Sequence, residues 1–221
     1  MPSATAPIAT PRTVACMKVG AESSARSKRD MILRIAADEF GRHGFDATKW
    51  ASIAEPTGIG NTALYHYFES KTHCLFTLLL ESYQSWHEQW RARLVDEGDD
   101  VGAILEAVAA SFRCTEAEAV KNRLLLHEQG KLSTLESTGR TRQAQVETLQ
   151  VARSIEKMWS GFLADAMGRG SIPRQDPGVL AHGIIGLLQS VYAWYRPGGQ
   201  QKLSDLETIY CGYVRAMLFS V

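Results

Sequence analysis

Residues 48–68 read TKWASIAEPTGIGNTALYHYF. At helical spacing Asn61, Thr62, Tyr65 and His66 share one face, and Leu64 and Phe68 share the other. The first face carries short hydrogen-bonding and aromatic side chains suited to base edges and phosphates. Lys49 and Lys71 stand near the starts of the neighbouring helices, where free backbone N–H groups and positive dipole ends attract phosphate. Patterns for other chemistry are missing. There is no Gly-rich phosphate loop, G-x-S-x-G elbow, H-E-x-x-H or Glu-x-x-His pairing. His43, His66, His73, His87, His127 and His182 are dispersed, and His127, Glu128 and His182 form the one grouping open to a metal. The expectation is a protein that is not an enzyme, with no cofactor and no metal.

The elements that must position these residues are helices. Ile32, Ile35, Ala36 and Phe40 predict a first helix near Ser27–His43, with Ser27 as N-cap, Asp30 at the capping-box position and Gly44 as its stop. A short helix near Thr48–Thr57 carries Trp50, Ile53 and Ala54 and stops at Gly58. A second short helix, near Asn61–Phe68, comes next, and Ser70 caps a long one with Leu75, Leu78, Leu79, Tyr83, Trp86 and Trp90 inward. Further helices are expected near Asp100–Cys114, Glu116–Gln129, from beyond Arg142 to Met167, Pro177–Tyr195 and Ser204–Phe219. No alternating strand pattern competes. The fold class is all-α, with about nine helices. The short pair over 48–68 has the helix-turn-helix pattern, and an ordinary helical corner is its bland alternative. A helix of about eight residues needs packing to persist, which leaves its outer face free for a DNA major groove.

The chain has 221 residues, with 24 basic and 24 acidic side chains. Zero net charge argues against a bulk polyanion coat but says nothing of local fields. Residues 1–75 hold 9 basic and 7 acidic side chains, a slight basic excess at the N-terminal end. Residues 1–26 lack the apolar core of a signal peptide and read as a disordered tail whose Arg12, Lys18 and Arg26, with Lys28 and Arg29 beyond, are placed either to touch phosphates or to stay solvated. The apolar runs Cys74–Leu80 and Gly183–Leu188 fall far short of the ~20 residues that span a bilayer. Cys16, Cys74, Cys114 and Cys211 are widely spaced, which predicts reduced, partly buried thiols in a cytoplasmic protein.

The helix before Gly44-Phe45-Asp46-Ala47-Thr48, then Ile53-Ala54, Thr57-Gly58-Ile59, Leu64-Tyr65-His66-Tyr67-Phe68, Ser70-Lys71 and Leu75, together resemble the TetR family of bacterial transcriptional repressors. The resemblance covers about residues 27–76. It implies a DNA-binding domain there and a helical effector-binding and dimerisation domain over 77–221. It also implies DNA contacts at Thr48, Lys49, Asn61, Thr62, Tyr65, His66 and Lys71. Three positions depart from the family pattern. Lys49 replaces the usual Ser or Thr cap of the second helix, so either Thr48 caps it or the cap is lost at about 1 kcal/mol. Gly60 replaces the Ser cap of the third, and Pro56 removes a donor in the second helix's last turn.

Trp194-Tyr195-Arg196-Pro197-Gly198-Gly199 resembles a TetR subgroup that controls sterol-ring and fatty-acid breakdown and senses acyl-CoA thioesters; read alone, it ends a helix, with Arg196 on the C-terminal dipole. Candidate pocket residues are Trp86, Trp90, Phe112, Arg113, Leu124, His127, Trp159, Phe162 and Tyr192. Mid-helix Gly183 and Gly186 and the apolar faces of the last two helices predict a four-helix homodimer interface through Leu180, Gly183, Ile184, Leu187, Tyr195, Tyr210, Tyr213 and Met217. The expected partners are a palindromic operator, a small hydrophobic or acyl-CoA-type effector and a second copy of the chain. The alternatives are a small-molecule-binding dimer with degraded DNA readout, or an efflux repressor with a drug-like ligand.

Overall fold

The computed structural model describes residues 12–135 and 137–220, the side chains of 12–25 excepted. Among the described residues the fold is all-α, as expected, without strands. Its helices are α1 (Arg12–His43), α2 (Trp50–Thr57), α3 (Asn61–Tyr67), α4 (Lys71–Arg91), α5 (Asp100–Ala110), α6 (Glu116–Glu128), α7 (Lys131–Thr134), α8 (Gly139–Arg169), α9 (Pro177–Trp194) and α10 (Leu203–Phe219). The four-residue α7 is the element that sequence periodicity does not show.

α1 starts at Arg12, well before Ser27, so Ser27 is no N-cap and the Asp30 capping box does not form. The cause is local composition. No proline follows Pro11 before Gly44, and the helix formers Ala, Met, Lys, Glu and Arg recur through residues 12–26, enough to carry the helix past Gly20. The tail expected over 1–26 is therefore helical from Arg12, and 1–11 lie outside the described residues. At the other end α1 stops where Gly44 takes the left-handed conformation (φ 79°), its N–H donating to the Phe40 carbonyl.

Side-chain caps fix several later starts. Ser70 accepts from His73 N at α4, Asp99 from Gly102 N at α5, and Asp176 from Gly178 and Val179 N at α9. At α6 Thr115 and Glu118 form a complete capping box. Asp100, almost fully buried, takes two hydrogen bonds from Arg169 (2.6 and 2.9 Å) and one from Ser171 (2.6 Å), which pins the end of α8 to the start of α5.

Two apolar cores result. One gathers Trp90, Ile104, Phe112, Trp159, Ile184 and Val214 from α4, α5, α8, α9 and α10. The other joins Ile32, Phe40, Ile53, Leu64, Phe68 and Leu75 with Leu124, Leu125, Leu132 and Ala144 from α6, α7 and α8. The boundary expected at 76/77 falls inside α4, which serves both cores. The N-terminal helices therefore do not close a core alone. Cys74, Cys114 and Cys211 are free thiols, and burial pushes the Cys74 thiol up.

Leu125 is 1% exposed in the shared N-terminal core. Leu125→Ala is expected to cost about 2–5 kcal/mol. Because the core is shared, thermal unfolding should remain one transition at a lower midpoint. Two separated transitions in calorimetry would contradict the shared core.

Candidate nucleic-acid interface

α2 and α3 meet at a tight turn. Gly58 is left-handed (φ 65°) and its N–H donates to the Glu55 carbonyl, a conformation that favours glycine. The Thr57 hydroxyl donates to the Ala54 carbonyl (2.5 Å) and accepts from Ile59 N (3.4 Å). α3 then presents two faces, as its sequence predicts. Leu64 and Phe68 are completely buried, while Asn61, Thr62, Tyr65 and His66 are exposed, Tyr65 by 52%. Tyr65 leans on the Trp50 ring of α2, centroids 6.1 Å apart. None of the four exposed side chains has a hydrogen-bond partner among the described residues.

Lys49 is exposed at the N-cap of α2 and Gly60 occupies that of α3; neither gives a side-chain cap. Thr48 does not replace the missing cap. Its buried hydroxyl donates back to the carbonyls of Gly44 (2.7 Å) and Glu39 (3.2 Å). Lys71 is likewise turned inward. Its ammonium donates to the carbonyls of Phe45 (2.6 Å), Thr48 (2.8 Å) and Asp46 (3.2 Å), 4.5 Å from the Phe45 ring centroid. An ammonium has three N–H donors, and here each has a carbonyl partner. Burial pulls its pKa below the usual lysine value. Thr48 and Lys71 thus hold the α1–α2 turn, with their polar atoms on backbone carbonyls in this structure. The outward set is Lys49, Asn61, Thr62, Tyr65 and His66.

Glu69, in the link between α3 and α4, has no signal in the sequence. Its carboxylate covers the N-terminus of α8, accepting from the Thr141 hydroxyl (2.6 Å), Thr141 N (2.7 Å) and Arg140 N (3.2 Å). These donors, the Thr141 hydroxyl foremost, hold its pKa down at about 2. Its own N–H donates to Nδ1 of His73, whose pKa burial lowers.

Six of the nine expected pocket residues, Trp86, Trp90, Phe112, Trp159, Phe162 and Tyr192, meet in the C-terminal core but not around one cavity. Trp86 and Tyr192 line two small cavities, of about 10 and 50 Å³, between α4, α6 and α9. Trp90, Phe112 and Trp159 are solid C-terminal core, and Leu124 belongs to the N-terminal core, because aromatic and aliphatic stripes satisfy a core and a pocket equally. Arg113 is half exposed and paired with Glu106 (2.6 Å) and Glu207 (3.0 Å). His127 is exposed beside a cleft at the α1–α6 contact, and Phe162 lies under the Arg169 guanidinium. No three-residue metal constellation occurs among the described residues, and His182 instead lies by the Gly178 carbonyl and Glu156. A larger space, unmarked in the sequence, is an open groove of about 820 Å³ between α1, α4 and α6, floored by Leu33, Ala37, Leu78 and Val120.

Of the expected interface residues, Leu180, Ile184, Tyr195 and Tyr210 are buried in the chain's own core. Leu187 and Met217 are half-buried against it, and Gly183 and Tyr213 are exposed. A Cβ on Gly183 would lie 2.9 Å from Met217 Cε, so this glycine permits a close α9–α10 approach within one chain. The large apolar side chains left exposed there are Val179, Trp194, Ile209, Tyr213 and Phe219. Arg196 donates to the Tyr195 carbonyl (3.1 Å) just past α9, and Gly198 turns the chain (φ 73°), the geometry of a helix stop.

Residues 32–78 match the profile described as "Bacterial regulatory proteins, tetR family", and residues 119–218 match "Tetracyclin repressor-like, C-terminal domain". A curated relative, the HTH-type transcriptional repressor KstR2 of Mycolicibacterium smegmatis, is 26% identical over 193 residues, 87% of this chain and 91% of that one. Among solved structures, AibR in complex with isovaleryl coenzyme A and operator DNA superposes with a TM-score of 0.69 at 22% identity, covering 87% of this chain and 98% of that one. The ketosteroid transcriptional regulator KstR2 of Mycobacterium tuberculosis gives 0.69 at 24% identity, covering 87% and 95%.

The depressed Glu69 carboxyl has a pH signature. Its stabilising contribution is complete above the ordinary value of 4.5 and is lost as pH falls toward about 2. Across that window the wild type should lose stability more steeply than Glu69→Gln in denaturant titrations. Parallel pH profiles would contradict the assignment.

Proposed function

The chain belongs to the tetR family of bacterial regulatory proteins, and from that footing we propose that it is a homodimeric repressor that reads a palindromic operator and releases it when an acyl-CoA-type effector binds. The observation that carries the DNA-reading part is α3: its inner face is fully buried through Leu64 and Phe68, and Asn61, Thr62, Tyr65 and His66 face outward without partners among the described residues. Lys49 stands beside them at the start of α2.

Dimer formation is supported by the exposed apolar side chains on α9 and α10, Val179, Trp194, Ile209, Tyr213 and Phe219, which have no cover among the described residues. A twofold axis there would set two copies of α3 on successive major grooves, about 34–36 Å apart.

The effector class is supported by hydrogen-bond donors and by space. Arg34, Arg42, Lys121 and Arg123 line the α1–α4–α6 groove without an ion pair among the described residues and offer donors to phosphate oxygens, while Asp30, Asp38, Glu81 and Glu118 on the same walls balance their charge. Glu118 and Lys121 border both this groove and the cavity behind it, where the buried Ser82 hydroxyl has no partner among the described residues. Those inner cavities are far below the ~300 Å³ of an ordinary ligand site. An acyl chain would therefore have to part α4, α6 and α9, and α4 runs directly to the DNA-reading helices. The shift it produces is bounded by its preference for the opened state. The AibR complex, which holds isovaleryl coenzyme A, is similar to this chain, and that similarity favours the same class.

Gel shifts on the intergenic DNA upstream of the chain's own gene test the reading. Tyr65→Ala and His66→Ala should each weaken binding by about 1–3 kcal/mol, and Lys49→Ala should lower the salt slope by about one. The absence of any shift at low salt would overturn the repressor reading in favour of a helical small-molecule-binding dimer. Tyr213→Glu should yield monomers in sedimentation; an intact dimer would move the interface elsewhere.

A further inference from the structure

We infer that Arg140, on the effector-domain helix α8, is a positioning residue for the DNA-reading helix α3. The inference rests on the DNA-reading assignment above. A helix leaves its last carbonyls without intrahelical partners. In α3 the Leu64 carbonyl is taken by Phe68 N at 3.0 Å, leaving those of Tyr65, His66 and Tyr67. The Arg140 guanidinium faces all three. Nη2 donates to Tyr65 O (3.4 Å), and Nη1 donates to His66 O (3.4 Å) and Tyr67 O (3.3 Å). Its charge also sits at the negative end of the α3 dipole, where a cation stabilises the helix.

The guanidinium is held from behind. Glu69 Oε2 lies 3.6 Å from Arg140 Nε and accepts from Arg140 N, while Oε1 is bound by Thr141. The Thr141 hydroxyl lies 3.3 Å from that of Ser70, which caps α4. The end of α3, the start of α4 and the start of α8 are thus one bonded junction. From it α8 runs into the C-terminal core through Ile155, Trp159 and Leu163, and at its far end Arg169 grips Asp100 of α5. A shift of α8 caused by events in that core reaches the carbonyl end of α3 directly. Arg140 therefore sets the order and tilt of the reading helix and passes the state of the effector domain to it.

The test uses the full chain and a duplex selected by the wild type from a random pool. Arg140→Ala should weaken binding about tenfold while leaving the salt slope unchanged. Glu69→Gln should do the same, and the double variant should be no worse than either single one. A salt slope reduced by about one would make Arg140 a phosphate contact and overturn the proposal. Unchanged affinity, or additive losses, would also overturn it. Hydrogen exchange provides a readout without DNA: amides of α3 should exchange faster in Arg140→Ala while those of α10 do not. Equal α3 rates would defeat the junction, whereas failure of the wild type to select any duplex would defeat only the DNA-reading assignment beneath it.

Discussion

A helix of seven residues has no stability of its own in water, because nucleation is costly and few hydrogen bonds follow it. α3 is such a helix, and the rest of the N-terminal architecture is organised around holding it. Leu64 and Phe68 anchor its inner face in a core to which α1, α2, α4, α6, α7 and α8 all contribute. Gly58 sets its angle to α2, and Lys71 closes the turn between α1 and α2 by binding three of its carbonyls. Neither α2 nor α3 has a side-chain N-cap, so tertiary packing supplies what local sequence does not.

The same constraint explains how much was legible in the sequence. Within α3 the alternation of Asn61, Thr62, Tyr65 and His66 against Leu64 and Phe68 is local and periodic, and one helix period assigns both faces. Lys71 was legible as a cation at a helix start, but its acceptors lie 23 to 26 residues earlier, and nothing in the spacing shows that they use every N–H. Glu69 and Thr141 meet across 72 residues with no motif to announce the pairing. Leu180, Ile184, Tyr195 and Tyr210 illustrate a different limit. Periodicity shows that a helix face is buried but not whether its own chain or another copy buries it. Trp90, Phe112 and Trp159 pose the same ambiguity between core and pocket.

The proposed coupling between effector and operator rests on how the cores are shared. α4 belongs to both, and α8 joins the end of α3 to the start of α5 through ion-paired, hydrogen-bonded termini. On the proposed reading, the small cavities between α4, α6 and α9 would have to open for an acyl chain, and opening them would move α4, which the N-terminal core also uses. Net charge matters little to this arrangement. On the proposed reading, a neutral chain that presents one lysine and four polar or aromatic side chains per subunit would rely on geometry and base contacts, with few phosphates neutralised.

The most direct measurement of that geometry is binding of the full chain to duplexes that carry two half-sites at varied separation. Two rigidly held copies of α3 related by a dimer axis predict tight binding at a centre-to-centre distance of about one helical turn, 10–10.5 base pairs, and its loss when half a turn is inserted. Equal affinity at every separation, or full affinity for a single half-site, would contradict the account.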